Sequence, residues 1–454
     1  MHHRGDLLRF IIEESDEVIV THSGMALIGL LLEKSQIGKR LNQAPLAGMR
    51  TPEIPNRDVA YSYIGLLCQV KSDFDHIEPF REDDFFPDAL QIHHVPSSPT
   101  LRQRIDMAAG KSGWEPILLE ESAKLLRTLD VTLRPIELGE HAHCRSYIPL
   151  DIDVSPFDNS GTKKEGVSRT YKGLDGYAPI FAYLGQEGYA VHVQLREGST
   201  HVQKGTAAFL RESIGYARQV TNLPLLVRMD AGNDSAENIA VCHAEDSKAD
   251  FIIKRNLRKE SVDAWLITAQ QHGTCEEPRP GKKVYHGSLL CPVKGVSESV
   301  RMVFEVIERT TTADGQILLV PEIEVSAYWT SLPDEPSVII QLYREHAIME
   351  QFHSEIKTDL DAERLPSGKF ATNNLVLHFV VVAYNLLRVI GQESLKRSDA
   401  PLRKKAERRR IRTVIQNLMT LAAKVVRHAR QTKLKLGHGN RWLPTFRRLY
   451  LTFS

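Results

Sequence analysis

The stretch Leu225-Leu-Val-Arg-Met-Asp230 has the character of a buried strand that ends in an acidic residue, and Ala-Gly follows it directly. The earlier stretch Tyr147-Ile-Pro-Leu-Asp-Ile-Asp-Val154 has the same character and also ends in acids. Short apolar runs bounded by turn residues are typical of strands. Residues 177–184 and 189–195 form two more such runs, and residues 206–220 have helical spacing. Strands that alternate with helices predict an α/β fold with a mixed sheet.

This region is one of five blocks in the chain. Residues 1–135 are mostly helical in pattern, and residues 145–260 hold the alternating strands and helices. Residues 261–340 are largely strand-like, which predicts an antiparallel β-rich insertion. Residues 341–394 return to helix, and residues 395–454 form a basic region that we also expect to be helical. The later elements are predicted as a strand over 337–340 and helices over 342–360, 373–391 and 402–430.

The composition excludes several classes of protein. Of the 454 residues, 42% are apolar and 25% charged, which is typical of a globular protein rather than a disordered or membrane-embedded one. The most apolar stretch, residues 375–390, contains His378, Asn385 and Arg388, so we interpret it as a buried core helix and expect no membrane association. Five irregularly spaced cysteines and an N-terminus without a secretory pattern favour a cytoplasmic protein.

The charge distribution is strongly asymmetric. Residues 395–454 hold 17 Lys plus Arg and two acids, a net charge of +15, whereas the remaining chain has a net charge of −14. A basic tail on an acidic body favours a polyanionic partner, most simply nucleic acid, although the tail could instead be solvated or dock on the body. The densest basic run consists of Arg408, Arg409, Arg410 and Arg412.

The N-terminal block contains a weak DNA-binding signal. Val95-Pro-Ser-Ser-Pro-Thr100 predicts a turn followed by a helix, with Thr100 as a candidate N-cap. Arg102 and Arg104 then open the helix, as they would in a helix-turn-helix unit. An ordinary helical bundle would explain the same pattern.

Three acids occupy positions where catalytic carboxylates could lie. Asp153 closes one strand, close to Asp151, and Asp230 closes another. The carboxyl ends of strands are where ligand sites form in α/β sheets, although acids also occur in ordinary turns. The third acid, Glu350, lies within a predicted helix.

The helix around Glu350 has two distinct faces. At about 100° per residue, four residues with polar groups fall on one narrow stripe and three apolar residues on the opposite face. The stripe could be plain solvent-exposed surface, or it could complete a site that needs an acid and a phosphate-binding cation. The polar stripe comprises Tyr343, His346, Glu350 and Lys357, and the apolar face comprises Ile348, Phe352 and Ile356.

The run from Tyr343 to Lys357 resembles the Y-x2-R-x3-E-x6-K signature of DDE transposases from bacterial insertion sequences, with His346 at the usual Arg position. Other segments resemble this family in the same order along the chain. They are Leu150-Asp-Ile-Asp-Val-Ser155, Thr170 to Pro179, Arg228-Met-Asp-Ala-Gly232, Phe370-Ala-Thr-Asn373, Ala383-Tyr-Asn-Leu-Leu387 and Pro96 to Arg102.

The resemblance implies an RNase H-like catalytic domain in which three carboxylates hold two Mg²⁺ or Mn²⁺ ions. It assigns these roles to Asp153, Asp230 and Glu350, with Asp151 as the rival for the first position. Tyr343 and Lys357 would contact the DNA end, and His346 would either donate a hydrogen bond to phosphate or be plain surface.

The resemblance also implies double-stranded DNA partners, namely terminal inverted repeats and target DNA, and a homodimer that joins the two ends. Arg102, Arg104 and the run Arg408 to Arg412 would contact DNA phosphates. No phosphate-cradling G-x-x-x-x-G-K-[ST] motif exists, so we expect no nucleotide cofactor. The rival interpretations are a non-catalytic DNA-binding regulator and a metal-dependent nuclease without strand transfer.

Overall fold

The structure is a computed structural model, and it describes residues 11–46, 48, 52–110, 112–139, 144–244, 247–429 and 431–454. The N-terminal part is mostly helical, as predicted. Its elements are β1 (Ile19–Val20), α1 (Met25–Glu33), α2 (Ile37–Gln43), α3 (Asn56–Leu67), a 3-10 helix (Phe74–Phe80), α4 (Phe85–Leu90), α5 (Ser98–Ala108), α6 (Trp114–Thr128) and β2 (Ile136–Leu138). Helix α5 begins earlier than predicted, because the hydroxyl of Ser97 rather than Thr100 accepts the capping hydrogen bond, from the Thr100 amide at 3.4 Å.

The middle of the chain builds a large mixed sheet with helices, which confirms the predicted α/β class. Its elements are β3 (Arg145–Val154), β4 (Phe157–Asp158), β5 (Ser168–Arg169), β6 (Asp175–Tyr177), β7 (Ile180–Leu184), β8 (Tyr189–Gln194), α7 (Thr206–Val220), β9 (Leu225–Met229), α8 (Ala236–His243), β10 (Ala249–Lys254), α9 (Val262–His272), β11 (Gly273–Arg279), β12 (Lys282–Cys291), β13 (Val300–Thr311) and β14 (Ile317–Thr330).

The strand order in the large sheet is β11-β12-β13-β14-β10-β9-β3-β7-β8. Strand β3 pairs in parallel with β9 and antiparallel with β7, and β9 pairs in parallel with β10. The predicted β-rich insertion is the antiparallel series β11 to β14, which continues the sheet through the pairing of β14 with β10. The carboxyl ends of the parallel strands β3, β9 and β10 therefore lie at one edge.

The helical segment after the insertion is less regular than its sequence predicted. It consists of α10 (Pro336–Arg344), a 3-10 turn (Glu345–Ile348), α11 (Met349–Ser354) and a π-helical turn (Glu355–Asp359). The predicted strand at 337–340 is wrong, because Pro336 occupies the first turn of α10, where its fixed φ favours a helix.

Helix α12 (Phe370–Glu393) is the buried core helix that the sequence predicted for residues 375–390. It is long and apolar enough to span a membrane, yet 94% of its most apolar window is buried inside the protein. The side chain of Asn385 connects α12 to β8. Its Nδ2 donates to the Ala190 carbonyl at 2.7 Å, and its Oδ1 accepts from the Ala190 amide at 2.9 Å.

The predicted helix over 402–430 is wrong. The chain instead forms α13 (Ile411–Val414), a π-helical turn (Ile415–Met419), the hairpin β15 (Ala423–His428) and β16 (Gln431–Leu436), and finally α14 (Leu443–Phe453). Alternation of Ala423, Val425 and Leu434 with lysines gives these residues the period of a strand, which the density of basic residues obscured. Strand β15 also pairs with β1, so the two ends of the chain share one sheet.

Candidate functional site

Two of the three predicted carboxylates lie side by side at the edge of the sheet. The register pairs Ile152 of β3 with Met229 of β9, so the next residues, Asp153 and Asp230, are neighbours at the carboxyl ends of parallel strands. Asn233 donates from its amide to Oδ1 of Asp230 at 2.6 Å. Burial, and next the charge of Asp153, raise the pKa of Asp230 above its usual value. A cation between the two carboxylates would relieve this repulsion.

The third carboxylate, Glu350, is exposed in the first turn of α11. Glu350 and the other two acids all affect the hydroxyl of Tyr171. Burial of this hydroxyl raises the pKa of Tyr171, and the negative charges of Asp153, Asp230 and Glu350 raise it further. The same hydroxyl lies 3.5 Å from the Val154 carbonyl, which accepts its hydrogen bond. The three acids thus all act electrostatically on one phenol group, although its ring is largely exposed.

Asp151, the rival to Asp153, is committed to a buried ion pair. The Arg228 guanidinium donates to both of its oxygens, at 2.6 and 2.7 Å, and His346 Nδ1 lies 2.9 Å from Oδ1. Burial alone would raise the pKa of Asp151, but the charges of Arg228 and His346 outweigh burial and lower it. Both oxygens of Asp151 are therefore occupied by internal partners, whereas Asp153 lies next to Asp230 at the end of the strand.

The structure excludes plain surface for His346, because it is 8% exposed and lies against Asp151, while its hydrogen bond to phosphate stays a prediction. Arg228 also donates from Nη1 to the Leu342 carbonyl at 2.7 Å, at the end of α10. Asp151, Arg228 and His346 therefore join β3 and β9 to the segment that carries Glu350.

His353 is a site residue that the sequence analysis missed. Its Nδ1 lies 3.2 Å from the Tyr183 hydroxyl, and its Nε2 lies 3.5 Å from Oδ2 of Asp153. Three residues after Glu350, it occupies the next turn of the helix, and this spacing is the signal that could have identified it. Tyr171 was likewise missed, since only the segment containing it was noted.

The two predicted contacts to the DNA end, Tyr343 and Lys357, have different surroundings. Tyr343 is half-buried, with its ring 4.8 Å from that of Tyr328, and burial followed by the charge of Asp230 raises its pKa. Lys357 donates from Nζ to the Pro156 carbonyl at 2.7 Å and lies 3.0 Å from Glu363. Lys357 therefore lies against the loop that follows Asp153.

The two N-terminal arginines differ in accessibility. Arg102 is exposed and pairs with Asp75 at 3.4 Å, which leaves it available to a phosphate. Arg104 is 5% exposed and donates to the Ile54 carbonyl at 2.9 Å and to Asn56 at 2.8 Å. The prediction that Arg104 contacts DNA is corrected, because its guanidinium is used inside the helical region.

The basic run at 408–412 is divided between buried and exposed side chains: Arg409 is buried and Arg408 half-buried, which leaves little of either to DNA, whereas Arg410 and Arg412 are exposed. These arginines pair with two buried acids of the π-helical turn, Glu355 and Asp359, or with neighbouring backbone. The contacts are Arg408 to Glu355 at 2.8 Å, Arg409 to Ser394 at 3.2 Å and to the Thr413 carbonyl at 3.1 Å, Arg410 to Asp359 at 2.8 Å, and Arg412 to Asp359 at 3.3 Å.

A metal at this site would depend on carboxylate oxygens. Asp153, Asp230 and Glu350 supply the hard donors that Mg²⁺ and Mn²⁺ prefer, and burial together with the charge of Asp153 raises the pKa of Asp230. Within the described part of the chain, no three His, Cys, Asp or Glu side chains converge closely enough to hold an ion as they stand. The donor types thus fit a divalent cation, whereas their spacing in this structure does not bring three of them together.

Comparison with known proteins bears on this site. The family described as Transposase DDE domain group 1 matches residues 12–452. A cryo-EM structure of the piggyBac transposase synaptic complex with hairpin DNA aligns over 96% of this chain and 80% of that chain, with 10% identity and a TM-score of 0.40. No curated protein matches the sequence significantly. Because the family match extends over nearly the whole chain, the protein belongs to the transposases with a group 1 DDE domain.

Proposed function

We propose that this transposase moves DNA by a metal-dependent cut-and-paste reaction. It would bind terminal inverted repeats, cleave at the element ends, and transfer the 3′-hydroxyl strands to target DNA. The observation that carries the proposal is the adjacency of Asp153 and Asp230, fixed by the pairing of Ile152 with Met229. A family of DNA-rearranging enzymes and two acids at one sheet edge support the same chemistry.

An RNase H-like catalytic domain is part of this proposal. The order β8-β7-β3-β9-β10 supports it, because β7 is antiparallel to both of its neighbours, β8 and β3, and β9 and β10 run parallel to β3. In this arrangement Asp153 and Asp230, which are far apart in sequence, become neighbours because their strands are paired. The helix with Glu350 reaches the same edge because Arg228 and His346 connect it to Asp151.

Asp153, Asp230 and Glu350 would hold the divalent cations, two Mg²⁺ or Mn²⁺ ions. Bound there, the cations would supply Lewis-acid stabilisation for the charge that develops on the phosphate oxygens. His353 would keep the Asp153 carboxylate in place through its contact with Oδ2. Lys357 would exchange Glu363 for a DNA phosphate, to which its ammonium offers a compact positive charge.

The test requires a plasmid that carries both element ends, identified as short inverted repeats in the DNA flanking the gene. Purified wild-type protein, Asp230→Asn and Glu350→Gln would each be incubated with this plasmid in Mg²⁺ or in EDTA. We expect excised element and joined product only for the wild type in Mg²⁺. Asp334→Asn, which removes a carboxylate paired with Arg145 away from the acids, is the matched control.

The outcomes separate the rivals. Nicked or cut DNA without joined product would select a nuclease without strand transfer. DNA binding with no cleavage in Mg²⁺ or Mn²⁺ would select a non-catalytic DNA-binding regulator. A homodimer on DNA and a cytoplasmic location complete the proposal, and a mass measurement of the complex with DNA would test the dimer.

A further inference from the structure

The small sheet formed by β1, β15 and β16 has two faces of different character. Val20, Ala423 and Val425 are buried on the inner face, next to half-buried Leu434 and Leu436. On the same side, the Arg427 guanidinium pairs with Asp84 and Asp88 of the helical body, each at 2.9 Å. The inner face thus packs the hairpin against the helical body through apolar contacts and through the ion pairs of Arg427.

The outer face carries lysines from both strands of the hairpin. Lys424 lies directly opposite Lys435, and Lys433 lies two residues further along β16 on the same face, about 7 Å away in an extended strand. Lys433 and Lys435 are exposed, and no acidic side chain among the described residues lies within ion-pair distance of either. Lys424 pairs only with exposed Glu17, a contact that stabilises little.

This arrangement has a cost in stability. Like charges directly opposite one another on a sheet repel, and strand β16 is the open edge of its sheet. Lys433 and Lys435 have no acidic partner among the described residues and Lys424 has only exposed Glu17, so a polyanion would neutralise charge that the protein leaves largely uncompensated. Although the chain outside the tail has a net charge of −14, neither Lys433 nor Lys435 pairs with an acid among the described residues, so their charge remains open to a separate polyanion.

We propose that the outer face of the β15–β16 hairpin, formed by Lys424, Lys433 and Lys435, is a docking surface for the phosphate backbone of double-stranded DNA. The proposal rests on the proposed function, which supplies the DNA, and it assigns the tail contacts to lysines with fewer internal partners than the run Arg408 to Arg412. Lysines on one flat face bind phosphates as point charges, so the surface adds affinity without sequence preference.

The experiment measures binding of a fluorescein-labelled duplex of arbitrary sequence by anisotropy, in EDTA, over a series of KCl concentrations. For Lys433→Gln/Lys435→Gln we expect affinity at least about tenfold weaker and a plot of log K against log salt that is shallower by about 2. The charge-preserving Lys433→Arg/Lys435→Arg should bind like the wild type. Lys34→Gln/Lys39→Gln, an equal change of charge at exposed positions on the helical body, should retain the wild-type slope.

An unchanged slope for the Gln pair, or an equal loss in the Lys34/Lys39 control, would overturn the docking surface. Because Lys435 faces Lys424, removal of its charge relieves repulsion, and the thermal unfolding of the Gln pair should match or exceed the wild type. If the pair does not fold, Lys433→Gln alone decides, with an expected decrease in slope of about 1. Wild-type protein that binds with the full slope yet never cleaves would contradict the catalytic proposal and leave the surface intact.

Discussion

At the scale of single residues, Asp151 and Asp153 lie on the same strand but have different environments. The two acids are two positions apart, so the strand period predicts the same face for both and the sequence could not separate them. Asp151 is buried against Arg228 and His346, whereas Asp153 lies beside Asp230 and His353. What separates them is a long-range contact with residue 346, which no local pattern encodes.

The substitution Asp151→Asn should therefore destabilise the protein by about 3–5 kcal/mol, because it leaves the buried Arg228 without its counter-charge. Asp153→Asn should not destabilise the protein, since it relieves the repulsion with Asp230, and it should abolish cleavage. Urea unfolding of both variants, with plasmid cleavage in Mg²⁺, would show the difference. Equal loss of stability in the two variants would contradict the assignment.

Asp151 and Asp230 have opposite effects on the pH dependence of stability. The pKa of Asp151 is lowered by folding, so the stability it provides is present above its unfolded pKa and is lost as pH falls through its folded pKa. The pKa of Asp230 is raised, so its ionisation opposes folding once the pH exceeds its unfolded value.

We accordingly expect Asp230→Asn to raise the melting temperature at neutral pH in EDTA, while cleavage falls at least about 100-fold. Mg²⁺ should raise the melting temperature of the wild type but not of the variant. Calorimetry in EDTA and in Mg²⁺ would measure both effects, and Asp334→Asn again serves as the control. A destabilised Asp230→Asn would contradict the repulsion inferred from the raised pKa.

At the scale of elements, the segment from Tyr343 to Lys357 shows what a uniform helical wheel can and cannot predict. The wheel placed Tyr343, His346, Glu350 and Lys357 on one stripe, but the 3-10 and π-helical turns change the rotation per residue between them. His346 thereby turns inward to Asp151 while Glu350 stays exposed. The signature spacing still identified the element, because it counts residues rather than angles.

The π-helical turn is stabilised by the arginines that the sequence suggested for DNA. Glu355 and Asp359 are buried, and Arg388, Arg408 and Arg410 neutralise them. Compositional reasoning recognises a basic run but not its partners, since those acids lie about fifty residues earlier in the sequence.

Arg408→Gln should destabilise the protein by about 1–3 kcal/mol, because Glu355 loses one of its charged hydrogen-bond donors. It should also slow cleavage, since Glu355 lies in the turn between Glu350 and Lys357, and it should leave the salt dependence of DNA binding unaltered. Exposed Lys405→Gln is the matched control. A shallower salt slope for Arg408→Gln would instead restore this arginine as a phosphate contact.

At the scale of the whole molecule, the sequence predicted the α/β class, the insertion and the central helix, but not how the ends of the chain meet. The apolar strands and α12 carry strong local patterns, whereas the pairing of β1 with β15 joins residues about four hundred positions apart. One cluster of buried apolar side chains includes Val20 of β1, Ala423 of β15 and Phe453 of α14. The domain boundary at residue 395 stays a prediction. Because residues on both sides of it share this core, deletion of the C-terminal region would test whether that region is a separate domain.

Removal of residues 421–454 should destabilise the entire protein rather than delete a separate module. The truncation would expose the inner face of α1, against which α14 packs, and would leave β1 without its only strand partner in the described structure. We expect a single unfolding transition at a markedly lower temperature, together with rapid proteolysis of the N-terminal helices. A truncated protein that unfolds at the wild-type temperature would show that the C-terminal region is an independent domain. Truncation at residue 437, which keeps both strands of the hairpin, distinguishes the contribution of α14 from that of β15 and β16, because only the former is then lost.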